Sequence, residues 1–276
     1  LNFAQAEGGM PERFDAICFD SANDPISYVD ERTGKVVALE PGAEFFELEP
    51  TPVAGIQRNR DRHPELFNTF GAEQINRIKR THITHGAAQD RLQGALAGTF
   101  NARLFERKVA ERLHKLTERD RSVGNVLETT SSLRVYLAVS LGGGQGSGFA
   151  LIAAAIVSRL LEEMSTLGER GKLTGIFLLP DAFHGIENAQ MQANTMAFVE
   201  ELNALMLGRV SANIEYPGGD PIQVTDAPLS DVYVLGGVDE TGKTLPDVDE
   251  VAVWSRMLSR AYCACAASKS PYVEAT

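Results

Sequence analysis

One stretch constrains the fold of this chain more than any other. Residues 137–164 read LAVSLGGGQGSGFALIAAAIVSRLLEEM: a β-branched apolar run, seven residues that include five glycines, and an apolar pattern with helical spacing. This order predicts a buried strand, a sharp turn and a buried helix. We call residues 142–148, GGGQGSG, the glycine-rich segment. Because glycine has no side chain, this segment lets another group approach its backbone closely.

The rest of the chain alternates between strand and helix signals. Short β-branched or aromatic runs that end in turn residues predict strands, and apolar residues three or four apart predict helices. Strands alternating with helices indicate an α/β fold, a doubly wound and mostly parallel sheet with helices on both faces. The predicted strands are residues 14–20, 133–140, 173–180 and 231–237, and the predicted helices are residues 88–118 (one helix or two successive ones), 149–164, 187–207 and 248–267.

We expect residues 1–276 to form one domain of this kind, incomplete at both ends. Residues 28–75 and 209–230 carry turn residues and charges, so they look like long connections or insertions.

Composition narrows the class of protein. With 43% hydrophobic and 23% charged residues, the chain has the balance of a soluble globular protein. No apolar run approaches the roughly 20 residues that cross a bilayer, so we expect no membrane span. The net charge of −11 disfavours nucleic acid as a partner. Three cysteines without CxxC spacing or a secretory leader predict a reducing, cytoplasmic location.

The expected place of the glycine-rich segment suggests a ligand. In an open parallel sheet, ligands bind at the carboxyl ends of strands, where a helix N-terminus offers unpaired N–H groups and a positive dipole end. We therefore expect phosphate there, with glycines at positive φ aiming successive N–H groups at one anion and the Ser147 hydroxyl as a further donor. The alternative, a structural tight turn, explains one or two glycines more readily than five.

Two common phosphate-binding templates do not fit. The P-loop needs a lysine, and residues 137–171 contain none. The pattern G-x-G-x-x-G fails from Gly142, Gly144 and Gly146 alike. The acid at the next strand end, Asp181, also comes nearly forty residues after the first glycine, where a ribose-binding acid is expected after about twenty. A Rossmann dehydrogenase is therefore a poor fit.

The glycine-rich segment resembles the tubulin/FtsZ signature GGG-T-GSG or GGG-T-GTG, with Gln145 in place of the threonine. Four further stretches are similar to stretches of the bacterial tubulin-like proteins and occur in the family order. They are FDAICFDS (14–21), HGAAQDRLQGALA (85–97), NTMAFVEEL (194–202) and PLSDVYVLGGVDETGKTL (228–245).

This resemblance implies a domain that binds GTP or GDP, with Mg²⁺ carried by the nucleotide phosphates. It implies contacts to phosphates and metal, to the γ-phosphate, and to ribose and base. The implied residues are, for phosphates and metal, Asp20, Ser21, Gly143, Gly144, Gln145, Gly146, Ser147 and Gly148; for the γ-phosphate, Gly86, Ala87, Ala88 and Gln89; for ribose and base, Phe183, Glu187 and Asn194.

Each of the three residues implied to contact ribose and base also has an interpretation that involves no ligand. Phe183 is alternatively a core residue, Glu187 a solvated acid in the first turn of a helix, and Asn194 an exposed helix residue. In the resemblance, Glu187 accepts hydrogen bonds from ribose hydroxyls and Asn194 reads the edge of the base.

Several residues depart from the family pattern or have two interpretations. Gln145 is longer than threonine and lacks a hydroxyl, which alters contacts there. Ala88 replaces a second glycine and stiffens the γ-phosphate loop. Arg91 either touches phosphate or forms a surface ion pair with Asp90 or Glu73. No catalytic residue is assigned, since hydrolysis in this superfamily is completed by a neighbouring subunit.

Two functional classes follow from the resemblance. The first is a GTPase that assembles head to tail into filaments. The second is a nucleotide-binding module of a larger bacterial assembly that hydrolyses little or no nucleotide. A third class, a nicotinamide oxidoreductase, is disfavoured by the failed G-x-G-x-x-G template.

Overall fold

The computed structural model describes residues 15–21, 27–30, 35–84, 86–122, 133–164, 171–182 and 188–237. The strands are β1 (Cys18–Asp20), β2 (Ser27–Asp30), β3 (Lys35–Ala38), β4 (Phe45–Glu47), β5 (Arg134–Ser140), β6 (Lys172–Leu178), β7 (Ala212–Ile214), β8 (Ile222–Val224) and β9 (Asp231–Leu235). The helices are α1 (Val53–Arg58), α2 (Pro64–Phe70), α3 (Ala72–Arg77), α4 (Arg91–Phe100), α5 (Ala102–Ser122), α6 (Gly144–Met164) and α7 (Ala189–Met206). The helix predicted at 248–267 lies outside the described residues.

The central sheet is parallel and is built from three of the predicted strands. Its order is β5-β6-β9, with Arg134 opposite Lys172 and Thr174 opposite Asp231. Helix α6 connects β5 to β6, and α7 follows β6. The prediction of a mixed α/β fold with a parallel sheet is therefore confirmed. Because the strands are parallel, their carboxyl ends lie along one edge.

The segments that looked like connections contain regular structure. In and next to residues 28–75, β2 and β3 form an antiparallel pair, and β4 pairs in parallel with β1. Within residues 209–230, β7 and β8 form an antiparallel pair. These strands are only three or four residues long, and a run that short leaves little alternation for a sequence pattern to display.

Helix α6 is the centre of the larger hydrophobic cluster. It packs with β5, β6, α5 and α7, and the side chains of Ala154 and Ile156 are fully buried, as its apolar sequence predicted. By length and composition α6 is also apolar enough to cross a membrane, which the sequence analysis did not anticipate. However, 61% of its apolar window is buried inside the protein, as in the core helix of a soluble protein.

A second hydrophobic cluster lies beneath α1, α2 and α3. Val53, Ile56 and Leu66 are fully buried there, and α4 contributes Leu96 and Ala97. The opposite side of α4 packs on α6. Helix α4 therefore separates the two clusters and contacts both.

An ionic network centred on the buried Glu106 side chain anchors the β7–β8 hairpin to α5 and α6. Arg159 donates to the Glu106 carboxylate, to Tyr216 Oη at 2.6 Å and to the Asp220 carbonyl at 3.0 Å. Arg103 pairs with the other Glu106 oxygen. Burial raises the pKa of Tyr216 to about 12, so its hydroxyl stays protonated at neutral pH. The hairpin is thus fixed to the core by charge-assisted hydrogen bonds.

Candidate functional site

The glycine-rich segment lies at the carboxyl end of β5, where ligands bind in parallel sheets. Helix α6 begins inside it, at Gly144, five residues earlier than the apolar pattern suggested. The main-chain N–H groups of residues 143–146 donate no hydrogen bond within the described part of the chain, and the first following donor is Ser147 N, to Gly143 O at 3.2 Å. This row of free donors lies at the positive end of a 21-residue helix.

The glycines of this segment do not adopt the conformation expected from the sequence. None of them has positive φ, so that prediction is wrong. Their role is close packing instead. A Cβ on Gly144 would stand 2.5 Å from Asp90 O, one on Gly146 would stand 2.8 Å from Val139 Cγ1, and one on Gly148 would stand 2.6 Å from Ala95 N.

Gly143 is the exception within the segment. A Cβ built there meets no atom of the described residues within 4 Å. The residue is partly exposed, whereas Gly142 and Gly144 on either side are buried. The backbone at Gly143 is therefore open to a ligand.

Helix α4 presents matching glycines to α6. A Cβ on Gly94 would stand 2.6 Å from Gln145 N, and one on Gly98 would stand 2.7 Å from Phe149 Cβ. Gly94 and Gly98 are four residues apart, as are Gly144 and Gly148, so each helix offers one side-chain-free face to the other. The starts of α4 and α6 are thereby held side by side.

The loop of residues 86–90 precedes α4 and carries the left-handed backbone that was expected in the glycine-rich segment. The φ values are +72° at Gly86, +47° at Ala88 and +60° at Gln89. Asp90 caps α4, its carboxylate accepting from Gln93 N at 3.1 Å and from Gln93 Nε2 at 2.8 Å. Left-handed backbone at two consecutive non-glycine residues is strained, and such strain concentrates at functional sites.

Side chains of helix α7 link the 86–90 loop to the glycine-rich segment by hydrogen bonds. Asn194 Nδ2 donates to Gln89 O at 2.8 Å and to Gly142 O at 3.1 Å, and Asn194 is 2% exposed. Asn188 Nδ2 donates to Gln89 Oε1 at 2.9 Å while its own Oδ1 caps α7 through Met191 N. Asn194 is thus buried between the two segments rather than exposed on its helix.

Arg91 pairs with neither Asp90 nor Glu73, the two acids suggested by the sequence. Its guanidinium pairs with both carboxylate oxygens of Glu201 on α7, and its Nε donates to Ser147 O at 3.0 Å. These bonds tie α4 to α6 and α7.

The remaining predicted residues are placed as follows. Ser147 is fully buried, and its hydroxyl donates to Gly143 O at 2.6 Å rather than pointing to an anion. Ser21 follows β1 and is 3% exposed, with no hydrogen-bond partner for Oγ among the described residues. Gln145 Oε1 is likewise buried and unpartnered there. Asp20 accepts Leu48 N at its carbonyl, 2.8 Å away.

Phe183 and Glu187, predicted for ribose and base, lie outside the described residues. Of the predicted set, the structure therefore brings together the glycine-rich segment, the 86–90 loop and Asn194. Within the described ranges, no three His, Cys, Asp or Glu side chains are grouped so as to hold a metal ion.

Sequence reasoning missed four residues that shape this site, which are Gly94, Gly98, Asn188 and Glu201. The glycine pairs had a readable signal, because both show the G-x-x-x-G spacing that lets helices approach closely. Asn188 had one too, since asparagine before an apolar helical run is a common N-cap. Glu201 carried no local signal, as its partner Arg91 is 110 residues away.

The structure is of the mixed α/β class, with free main-chain donors at the carboxyl edge of its parallel sheet, a place where many α/β domains bind anions. A family model described as tubulin like matches residues 53–275, and the chain therefore belongs to the tubulin-like family. No curated protein and no solved structure matches the chain.

Proposed function

We propose that this protein is a bacterial, cytoplasmic tubulin-like protein that binds GTP or GDP at the glycine-rich segment and hydrolyses GTP while assembling head to tail. The observation that carries the proposal is that the main-chain N–H groups of residues 143–146 donate no hydrogen bond within the described residues. Anions bind favourably at such a helix start, because both the N–H groups and the dipole favour negative charge. Membership of the tubulin-like family supports a nucleotide as the source of that anion.

The 86–90 loop supplies the second wall of the proposed phosphate site. Its backbone at Asp90 lies against Gly144, so the loop and the first turn of α6 are in contact. In the proposal, residues 86–89 surround the γ-phosphate. The doubly wound arrangement of helices on both faces of the sheet is part of the same proposal.

Mg²⁺ is proposed to arrive with the nucleotide phosphates and to neutralise part of their charge. Ser21 Oγ and Gln145 Oε1 are oxygen atoms that are buried and unpartnered among the described residues, and each follows the carboxyl end of a strand. Hard cations prefer oxygen ligands, so these two atoms are the candidates to face the phosphates and their metal.

Titration calorimetry of the full-length protein with GTP, GDP and ATP tests the proposal. We expect GTP and GDP to bind in the presence of Mg²⁺ and ATP to bind more weakly. A folded protein that binds none of the three nucleotides would overturn it.

A charge substitution at Gly143 locates the phosphates. Gly143→Asp places a carboxylate at an open position beside the free N–H groups, and Gly143→Asn is the neutral variant of the same size. Both residues are good N-caps, so both variants should fold. We expect the aspartate variant to bind GDP roughly tenfold more weakly than the asparagine variant, since phosphate is repelled by the added charge. Equal affinities would place the phosphates elsewhere.

Filament assembly is tested by light scattering and phosphate release at increasing protein concentration. The proposal expects both signals to depend on GTP and to rise steeply with concentration, because each subunit completes the site of its neighbour. GTP binding without turnover, independent of protein concentration, would instead identify a nucleotide-binding module that does not polymerise.

A further inference from the structure

The Asn194 side chain is in an unusual position for a residue on a long helix. It is 2% exposed and bonds to two other segments of the chain and to its own helix. Its Nδ2 donates to Gln89 O in the 86–90 loop and to Gly142 O in the glycine-rich segment. Its Oδ1 accepts from Gln190 Nε2, at 3.1 Å, on its own helix.

The chemistry of these partners fixes the orientation of the amide. Two backbone carbonyls can only accept hydrogen bonds, and the Asn194 NH₂ group has two hydrogens to give. With both hydrogens bonded to carbonyls, the donors of the side chain are fully used, and its oxygen accepts one hydrogen bond, from Gln190. Asn194 therefore has no donor left for the edge of a base.

The two carbonyls belong to the segments proposed to hold phosphate. Gln89 has φ of +60° and would relax readily toward a more favourable conformation without an outside restraint. Gly142 immediately precedes the residues with free N–H groups. A single side chain thus bonds directly to both the strained loop and the residue that precedes the free N–H groups.

We propose that Asn194 is a positioning residue that holds the 86–90 loop and the glycine-rich segment at the spacing required for phosphate binding. The proposal rests on the proposed nucleotide site for its effect on affinity, and on the hydrogen bonds alone for its effect on the loops. Met191 supports the same contact, since its side chain lies against Gly142.

The experiment compares Asn194→Leu, which keeps the size but removes the N–H donors, with Thr195→Val. Thr195 is the neighbouring residue of α7, is 8% exposed, and its hydroxyl donates only to Met191 O of the same helix, at 3.0 Å, in the described structure. Both substitutions delete a buried polar group, but only the first touches the two segments. Asn194→Ser, whose shorter side chain keeps one donor, is the second variant if the leucine variant does not fold.

The first measurement is amide hydrogen exchange in nucleotide-free protein. Asp90 N is bonded to Ala87 O at 2.8 Å and Ser147 N to Gly143 O at 3.2 Å, so these amides report on the two segments. We expect roughly tenfold faster exchange at both amides in Asn194→Leu, since carbonyls left unpaired in a buried site destabilise it. Thr195→Val should leave both rates unchanged. Unchanged exchange in Asn194→Leu, or equal acceleration in α2, overturns the positioning role.

The second measurement is the affinity for GDP. We expect the dissociation constant of Asn194→Leu to rise roughly tenfold over that of Thr195→Val, because binding must then also order the two segments. If the two variants differ in hydrogen exchange but have equal dissociation constants for GDP, the spacing of the two segments does not control binding, and that part of the proposal is wrong. Wild-type protein that binds no GDP would overturn the proposed function, while the exchange experiment still decides the role of Asn194.

Discussion

The glycine-rich segment and the 86–90 loop lie against each other, yet glycine serves different purposes in the two. In the glycine-rich segment, φ is ordinary at every glycine, and most of the missing side chains are replaced by neighbouring atoms. In the 86–90 loop, a Cβ on Gly86 would meet no atom of the described residues within 4 Å, but its φ is +72°, and Ala88 and Gln89 adopt positive φ despite their side chains. The number of glycines marks the site, but it does not say whether space or backbone conformation demands them.

Positions within the glycine-rich segment also differ in what an added side chain would meet. Gly144 faces backbone, Gly142 faces the end of a flexible side chain, and Gly143 faces neither. Substitutions that look alike in the sequence should therefore differ in their effect on stability.

The largest effect is expected for Gly144→Ala. Its methyl group would stand 2.5 Å from Asp90 O and 2.8 Å from Asp90 N, and backbone cannot move aside without shifting α4. We expect the free energy of unfolding to fall by about 3 kcal/mol in urea titration. Gly143→Ala is the matched control and should stay within about 1 kcal/mol of wild type. Similar losses in both would show that packing does not explain the segment.

A smaller loss is expected for Gly86→Ala. Among the described residues no atom beyond the chain neighbours lies within 4 Å of the added methyl group, so we assign the cost to left-handed φ and expect about 1–2 kcal/mol. Gly86→Asn should lose less, because asparagine tolerates this conformation better. If alanine and asparagine behave alike in urea titration, backbone strain is not the reason for glycine here.

Gly142→Ala should cost about 1 kcal/mol or less. The nearest atom to the new methyl group is Met191 Cε at 2.5 Å, the far end of an unbranched side chain that can rotate away. Thermal unfolding of the Gly142→Ala and Gly144→Ala variants, measured side by side, tests this expectation. A loss as large as that of Gly144→Ala would mean that Met191 is as rigid as backbone.

The smallest effect is expected for Ala88→Gly. Glycine relieves the strain of a φ of +47° but adds freedom to the unfolded chain, so stability should stay within about 0.5 kcal/mol of wild type. The same substitution at Ala110, inside α5, should cost about 1 kcal/mol. Equal losses at the two positions, measured by urea titration, would argue against strain in the 86–90 loop.

The sequence predicted the elements with strong periodicity and missed those without it. The parallel strands β5, β6 and β9 and the helices α4 to α7 were all anticipated, because β-branched runs and apolar spacing extend over seven or more residues in most of them. The short strands β2, β3, β4, β7 and β8 were not, since three or four residues do not display a period. The start of α6 was placed at residue 149 because glycine is a poor helix former, and packing against α4 overrides that preference.

The candidate site was predicted in position more than in detail. Its two segments were found because they follow a strand and precede a helix, which is a local pattern. The hydrogen bonds of Asn194 and the ion pair of Arg91 join residues 52 to 110 positions apart, and a single sequence carries no sign of such pairs. The hydroxyl of Ser147 was expected to face a ligand, but helix geometry aims it at Gly143 O four residues earlier.

The facing glycine pairs of α4 and α6 have a consequence for engineering. Each helix packs closely against the glycines of the other, so a larger residue at any of these glycines fits only if the helices move apart. Moving the helices apart would also separate the 86–90 loop, which precedes α4, from the glycine-rich segment at the start of α6. Anyone who grafts this module into another scaffold, or shuffles it between homologues, should transfer both helices together, because a chimaera that mixes their origins loses the fit.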